Sequence, residues 1–241
     1  MLSKINLQNY LVIDIETVSC QKNYESLDEN WQQLWQEKVN KTLPEGTTAA
    51  EFYHQRAGVM AEFSKVVCIS IGYFKNERTF HQFRVKSIYD QDEKELLQNF
   101  VQTLNQLEEI NNRWCFTGHN IKEFDIPFLC RRLLINGLSI PQYLDFQNMK
   151  PWETNIIDTF QFWRFGDYKN YTSLKLLAAA LNIPSPKDDI DGSMVGDVYW
   201  KENDLKRIAN YCEKDVITVA NIILRFKSLP ILKADEVVIV A

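Results

Sequence analysis

The sequence predicts an α/β fold: one mixed sheet of five strands, flanked by helices, with a helical insertion after the first strand. Three observations predict it. Apolar, β-branched runs occupy residues 9–16, 66–74 and 78–85. Helix-period and strand-period segments then alternate from residue 92 to residue 227. No internal repeat and no Pro/Gly/Ser-rich linker breaks the 241 residues, so a single domain over 1–241 is expected.

Residues 9–16, NYLVIDIE, form the first strand. Residues 21–62 are polar and helix-prone, with Trp31, Leu34 and Trp35 at helical spacing. They carry four basic and seven acidic side chains, so this insertion is not expected to grip phosphates. Its helices are expected beside the sheet, with Trp31 and Trp35 buried. The second and third strands meet at the polar turn Lys75-Asn76-Glu77. Residues 92–109 are an amphipathic helix, apolar at 96, 97, 100, 101, 104 and 107. A short strand at 114–119, a helix at 126–136 and a short strand near 156–159 follow. Helices at 172–182 and 203–227 end the fold, and the apolar tail 228–241 reads as a strand or a packing arm. The first three strands are expected antiparallel and the later ones parallel.

Composition removes several functions. The net charge is −5, so nucleic acid cannot be held by a general basic coat. The eight glycines (46, 58, 72, 118, 137, 166, 192, 196) are never closer than four residues, which excludes G-x-G-x-x-G and P-loop phosphate cradles. Cysteines at 20, 68, 115, 130 and 212 form no C-x-x-C, and histidines occur only at 54, 81 and 119, so zinc spacings are absent. An odd, scattered cysteine set reads as reduced thiols, hence a cytoplasmic protein. No run of 18 apolar residues exists, so no membrane role is expected.

Three short motifs carry chemistry. Asp14 and Glu16 end the first strand and, by strand alternation, share one face about 7 Å apart. Two acids ending a core strand must be solvated, paired or on a metal. In G-H-N-I-K-E-F-D-I-P-F-L (118–129), Asp125 lies two residues before Pro127, at a helix N-terminus that favours a carboxylate. An ordinary N-cap aspartate is the plain alternative. In the last helix, Leu205, Ile208, Cys212, Val216, Val219 and Ile223 make the buried stripe, and Tyr211 and Asp215 stack at i and i+4 beside it. His119 reads as a structural histidine.

In this order and placement the motifs resemble those of the DEDD superfamily of 3′–5′ exonucleases, which have a ribonuclease H-like fold. Asp14-Ile15-Glu16 resembles the first exonuclease motif. Asn120 to Asp125 resembles the second, in the N-x-x-x-F-D-x-P wording of the proofreading domain of B-family DNA polymerases. Tyr211-x-x-x-Asp215 resembles the third in its tyrosine subclass; the histidine subclass wants His at 210, where this chain has Asn. Residues 183–187 (I-P-S-P-K) and 191–200 (D-G-S-M-V-G-D-V-Y-W) are similar to further wording of the free-standing, predicted exonucleases related to that polymerase domain.

The resemblance implies phosphodiester hydrolysis from the 3′ end of single-stranded or frayed DNA, releasing nucleoside 5′-monophosphates. Two divalent cations, Mg²⁺ or Mn²⁺, held about 3.5–4 Å apart suit that chemistry, and hard oxygen ligands suit those ions. By the resemblance, Asp14 serves both ions, Glu16 and Asp215 hold the one that activates the nucleophile, Asp125 supports the other, and Tyr211 orients the attacking water. Thr17 and Asn120 are secondary candidates for touching the terminal nucleotide; a local backbone hydrogen bond is the alternative for both. Asp158, ending a strand, is a candidate fifth acid. In 160–171, Phe160, Phe162, Trp163, Phe165, Tyr168 and Tyr171 read chiefly as core, with Phe160 and Phe162 continuing the strand; with Arg164 and Lys169 they could also stack bases. Lys187 and Lys201 flank a loop that could approach the substrate backbone. An exoribonuclease and a catalytically silent nucleic-acid-binding module remain open alternatives.

Overall fold

β1 (Tyr10–Ser19) lies at the middle of a six-stranded sheet, in the order β5-β4-β1-β2-β3-β6. A computed structural model describes residues 6–76, 81–147, 149–150, 153–184 and 189–240. β2 (Ser64–Asn76) is antiparallel to β1, and β3 (His81–Tyr89) is antiparallel to β2. On the other side of β1, β4 (Cys115–Gly118) and β5 (Ile156–Asp158) run parallel to it. The expected five strands become six, because Val237–Ile239 in the tail forms β6, parallel to β3. It covers what would otherwise be an open sheet edge.

Strand alternation sorts β1 between two cores. Leu11, Ile13 and Ile15 face one side, against α3 (Glu93–Ile110) and α4 (Asp125–Ile135). Tyr10 and Val12 face the other, against Val216, Val219 and Ile223 of α8 (Leu205–Phe226). α3 starts at the Asp92 cap, whose carboxylate accepts from the Lys94 and Glu95 N–H groups. α8 is capped by Asp204 and buries an almost continuous stripe from Ile208 to Leu224.

The insertion is the connection from β1 to β2, closed at its base where Cys20 N donates to Phe63 O at 2.8 Å. It contains α1 (Glu29–Val39) and α2 (Ala49–Arg56), the latter with a Thr48/Glu51 capping box. Trp35 is fully buried among Phe52, Tyr53 and Phe63, and its indole N–H donates to Ala49 O at 2.8 Å. Trp31 departs from the expectation: it sits a turn nearer the helix start, covers the edge of Phe63 and keeps its outer side in water.

Another departure follows β5. Phe160 and Phe162 do not extend the strand; they lie in α5 (Thr159–Arg164). Asp158 accepts from Phe160 N at 2.9 Å and Gln161 N at 3.3 Å, and this cap turns the chain helical at once. α6 (Leu174–Ala180) and the short α7 (Val195–Asp197), which widens into a π-turn at Val198–Glu202, precede α8. Residues 78–80, Lys187 and most of the I-P-S-P-K stretch lie outside the described residues. Among the described residues no helix is long and apolar enough to cross a membrane.

Candidate active site

β1, β4 and β5 run parallel, so their C-terminal ends lie at one edge of the sheet, where open α/β sheets place their sites. The β4 ladder stops at Val12↔Thr117, and Asp14 and Glu16 come just beyond it. Both face α8. A register shift between Glu16 and Thr17 bends the β1–β2 ladder immediately afterwards. Thr17 is on the opposite side of the strand, and its hydroxyl donates to Gly58 O at 2.6 Å. It does not join the acids.

Gly118 ends β4 in a space only glycine fits: a Cβ there would stand 2.9 Å from Ile13 O and 2.9 Å from Ile121 Cβ. Asn120 follows in the left-handed region, φ 66°, which asparagine tolerates. The turn then enters α4, whose N-cap residue is Phe124. Asp125 is therefore the first helical residue and not the cap. The N–H groups of Asp125 itself and of Ile15 face its carboxyl and favour the charged form, which sets the helix start beside β1 between Asp14 and Glu16.

Asp215 and Tyr211 come from α8, and the Tyr211 phenol lies beside the Asp215 carboxylate. Acid oxygens of Asp14 and Glu16 and the Cys212 sulfur lie within 4.8 Å of one another. The Cys212 thiol is 3.4 Å from Asp14 Oδ2. Burial, then the charges of Asp215 and Asp125, hold the Asp14 carboxyl well above the usual carboxylate range. Burial, then Asp14 and Asp215, do the same to Glu16. Burial pushes Asp125 up to about 7, with the Asp158 charge adding to the rise and the two N–H groups opposing it. Burial and the charges of Asp215, Glu16 and Asp14 push the Tyr211 phenol upward, so it is a donor and not a base at neutral pH.

Such a set of buried, mutually repelling carboxylates is relieved by protons or by cations. The four carboxylates offer hard oxygens, which suit a small divalent cation such as Mg²⁺ or Mn²⁺.

Asp158 is near this group but differently engaged. Its oxygens accept from four backbone N–H groups: Asn120 at 3.0 Å, Lys122 at 3.2 Å, Phe160 and Gln161. It clamps the turn carrying Asp125 to the start of α5. His119 fastens the same region, with Nε2 2.8 Å from Thr172 O and Nδ1 3.0 Å from Thr159 Oγ1. A carbonyl only accepts, so Nε2 carries the proton; burial holds the ring below its ordinary pKa. Asn120 Oδ1 is buried and has no hydrogen-bond partner among the described residues. Lys201 pairs with Asp197 at 2.8 Å.

Two anchors had no signal in the sequence. Cys212 reads only as stripe, and its thiol contact with Asp14 depends on how α8 crosses β1. Glu93 and Arg132 look like surface charges, yet form a buried ion pair that joins α3 to α4, with Arg132 Nη1 also donating to Ala61 O at 2.8 Å. A cavity of about 550 Å³ behind α4 is lined by Lys122, Ile126, Arg131, Phe146 and others, and by none of the four acids. A second, of about 340 Å³, adjoins the site through Tyr211, with Arg207 and Lys214 in its wall.

The mixed sheet flanked by helices has a PolB exonuclease-like fold, with acids of β1, of the start of α4 and of α8 toward its parallel-strand ends. Residues 59–231 match the family of predicted 3′-5′ exonucleases related to the exonuclease domain of PolB, and the chain belongs to that family. The match includes Asp125, Tyr211 and Asp215 and begins after β1. The fold is similar to that of the family B DNA polymerase from the hyperthermophilic archaeon Pyrobaculum calidifontis, with a TM-score of 0.52 and 16% identity. That likeness covers 89% of this chain and 24% of the polymerase, and at this identity it concerns the fold alone. No curated protein is significantly similar to the chain.

Proposed function

We propose that this protein is a metal-dependent 3′–5′ exonuclease that acts on single-stranded DNA or a frayed 3′ end and releases nucleoside 5′-monophosphates. The observation that carries the reading is the group of buried acids: Asp14 and Glu16 close together on β1, with Asp125 of α4 and Asp215 of α8 near enough to press on their charge, and Tyr211 beside Asp215. Kinship with a DNA polymerase domain supports DNA over RNA as the substrate.

The four acids would hold two divalent cations, Asp14 serving both. When bound, the cations activate water and stabilise charge on the phosphoryl and leaving oxygens. The chain's own groups do the rest. Tyr211, kept protonated beside Asp215, would orient the attacking water. Asn120 Oδ1 is a spare buried acceptor that suits the hydroxyl of a 3′-terminal sugar. Asp158 and His119 hold the turn that presents Asp125.

The test is incubation with 5′-labelled DNA and RNA strands of equal length, with Mg²⁺, Mn²⁺ or chelator. The expected result is a descending ladder from the 3′ end of DNA that requires metal. Cleavage indifferent to chelator, or from the 5′ end, sinks the proposal; preference for RNA replaces its substrate.

A further inference from the structure

The stretch that follows β5 divides into a packed part and an exposed part. Phe160 is buried, and Phe162 and Trp163 pack on Phe226 of α8, with ring centroids 4.7 and 6.5 Å away. Phe165, whose ring lies 5.7 Å from that of Phe162, and Tyr168 and Tyr171 remain 80%, 79% and 66% exposed. Three large rings left in water within seven residues are not core, and they are more than scattered exposure explains.

Contacts hold the stretch in place and tie it to the turn that carries Asp125. Tyr171 packs on Phe160 at 5.0 Å. The Arg164 guanidinium lies over the Phe160 ring at 4.0 Å and 5.7 Å from that of Tyr168. Its Nη1 is 3.3 Å from Glu123, in the turn that carries Asp125. His119 fastens both ends of the stretch, at Thr159 and Thr172. Burial, and then the charges of Asp125 and Asp158, raise the Tyr171 phenol pKa.

We propose that Phe165, Tyr168 and Tyr171 are a stacking platform for unpaired nucleobases upstream of the nucleotide being removed. This rests on the exonuclease reading: a strand whose 3′ end lies among the acids must cross the adjoining surface with its next bases. Flat rings beside a guanidinium take any base by its face. A paired base inside a duplex offers no face, so the platform selects single strands and frayed ends. A folded protein partner is the other occupant such rings could take, and the test separates them.

Binding is read by fluorescence anisotropy of a 5′-labelled oligothymidylate, and of a matched duplex, in an Asp14→Asn background where the strand survives. Phe165→Asn suits the left-handed backbone there, φ 45°; Tyr168→Ala removes the second ring. The expected result is affinity for the single strand about tenfold weaker per ring lost. In the protein with Asp14 intact, the fall in kcat/KM should be larger on the oligothymidylate than on a thymidine dinucleotide. Unchanged strand affinity, or equal losses on both substrates, overturns the platform. A wild-type protein that cuts DNA while the variants bind like their parent refutes the platform alone. One that binds the strand through these rings yet cleaves nothing refutes the exonuclease reading alone.

Discussion

Glu16 and Glu93 are each 8% exposed, and their surroundings are opposite. Glu93, at the start of α3, accepts from Val66 N at 2.7 Å, Arg132 Nε at 2.8 Å, Arg132 Nη2 and Asn136 Nδ2 at 2.9 Å. Its charge is matched and its lone pairs are filled, so it joins β2, α3 and α4 as a rivet. The groups that press on Glu16 are the acids Asp14, Asp215 and Asp125 and the Cys68 thiol, and they hold its carboxyl high. Burial alone thus says nothing about role; the company a carboxylate keeps separates a fastener from a ligand-binding group.

The largest expected effect tests the ligand side of this comparison. Asp14→Asn and Asp215→Asn each remove a metal charge and should lower 3′-end cleavage by roughly 10³-fold or more. Tyr211→Phe keeps the ring and loses only the donor, so its loss should stop near about 10²-fold. Without metal, Asp14→Asn should melt at the same temperature or higher, because a repelling charge is gone. An Asp14→Asn protein that cuts at the wild-type rate, or that unfolds without metal where wild type does not, would make Asp14 another Glu93.

The rivet side predicts a stability loss instead. Arg132→Met strands the Glu93 carboxylate, and breaking a buried pair in this way costs about 3–5 kcal/mol. Adding Glu93→Leu removes the stranded charge and should recover part of the loss. Urea unfolding of the two singles and the double measures it. A double no more stable than Arg132→Met would mean that the pair is not the unit that matters. The deficit should be the same with and without Mn²⁺, unlike that of any change among the four acids.

Much of this was legible because it is local. The alternation in Leu11-Val12-Ile13-Asp14-Ile15-Glu16 places both acids on one face, and the periodicity of 92–109 falls within a residue of α3. Tyr211 and Asp215 share a helix face for the same reason. What was not legible depends on meetings between distant segments. Asp158 reads as a candidate ligand until the N–H groups of Asn120 and Lys122 are brought to it. Phe160 and Phe162 alternate like a strand, but the cap just before them makes a helix and pairs Phe160 with Arg164 one turn on. β6 is a short apolar run whose partner is identified only once β3 is known to lie at the sheet's edge. Arg132 and Glu93, 39 positions apart, give no periodic signal of their contact.

The smallest expected effect sharpens the comparison through pH. In chelator, the folded Asp125 carboxyl titrates at about 7, while an unfolded aspartate titrates near 3.9. Its raised value means that the folded state holds a proton the unfolded chain has released. Metal-free stability should therefore fall as pH rises from 6 to 8, by about 1–2 kcal/mol or a few degrees in Tm. Asp14 and Glu16, also held high, act in the same direction. His119, held low, adds the opposite slope below its ordinary value of 6.5, and that contribution cancels when wild type is compared with Asp125→Asn. Saturating Mn²⁺ should reverse the trend, since the cation binds deprotonated carboxylates and stabilises the folded state by linkage. Thermal melts of both proteins at pH 6, 7 and 8, with chelator and with Mn²⁺, read the difference. If Asp125→Asn retains the wild-type slope in chelator, the proton is not on Asp125. If Mn²⁺ leaves the slope unchanged, the four acids do not share a cation, and Glu16 is only a badly matched Glu93.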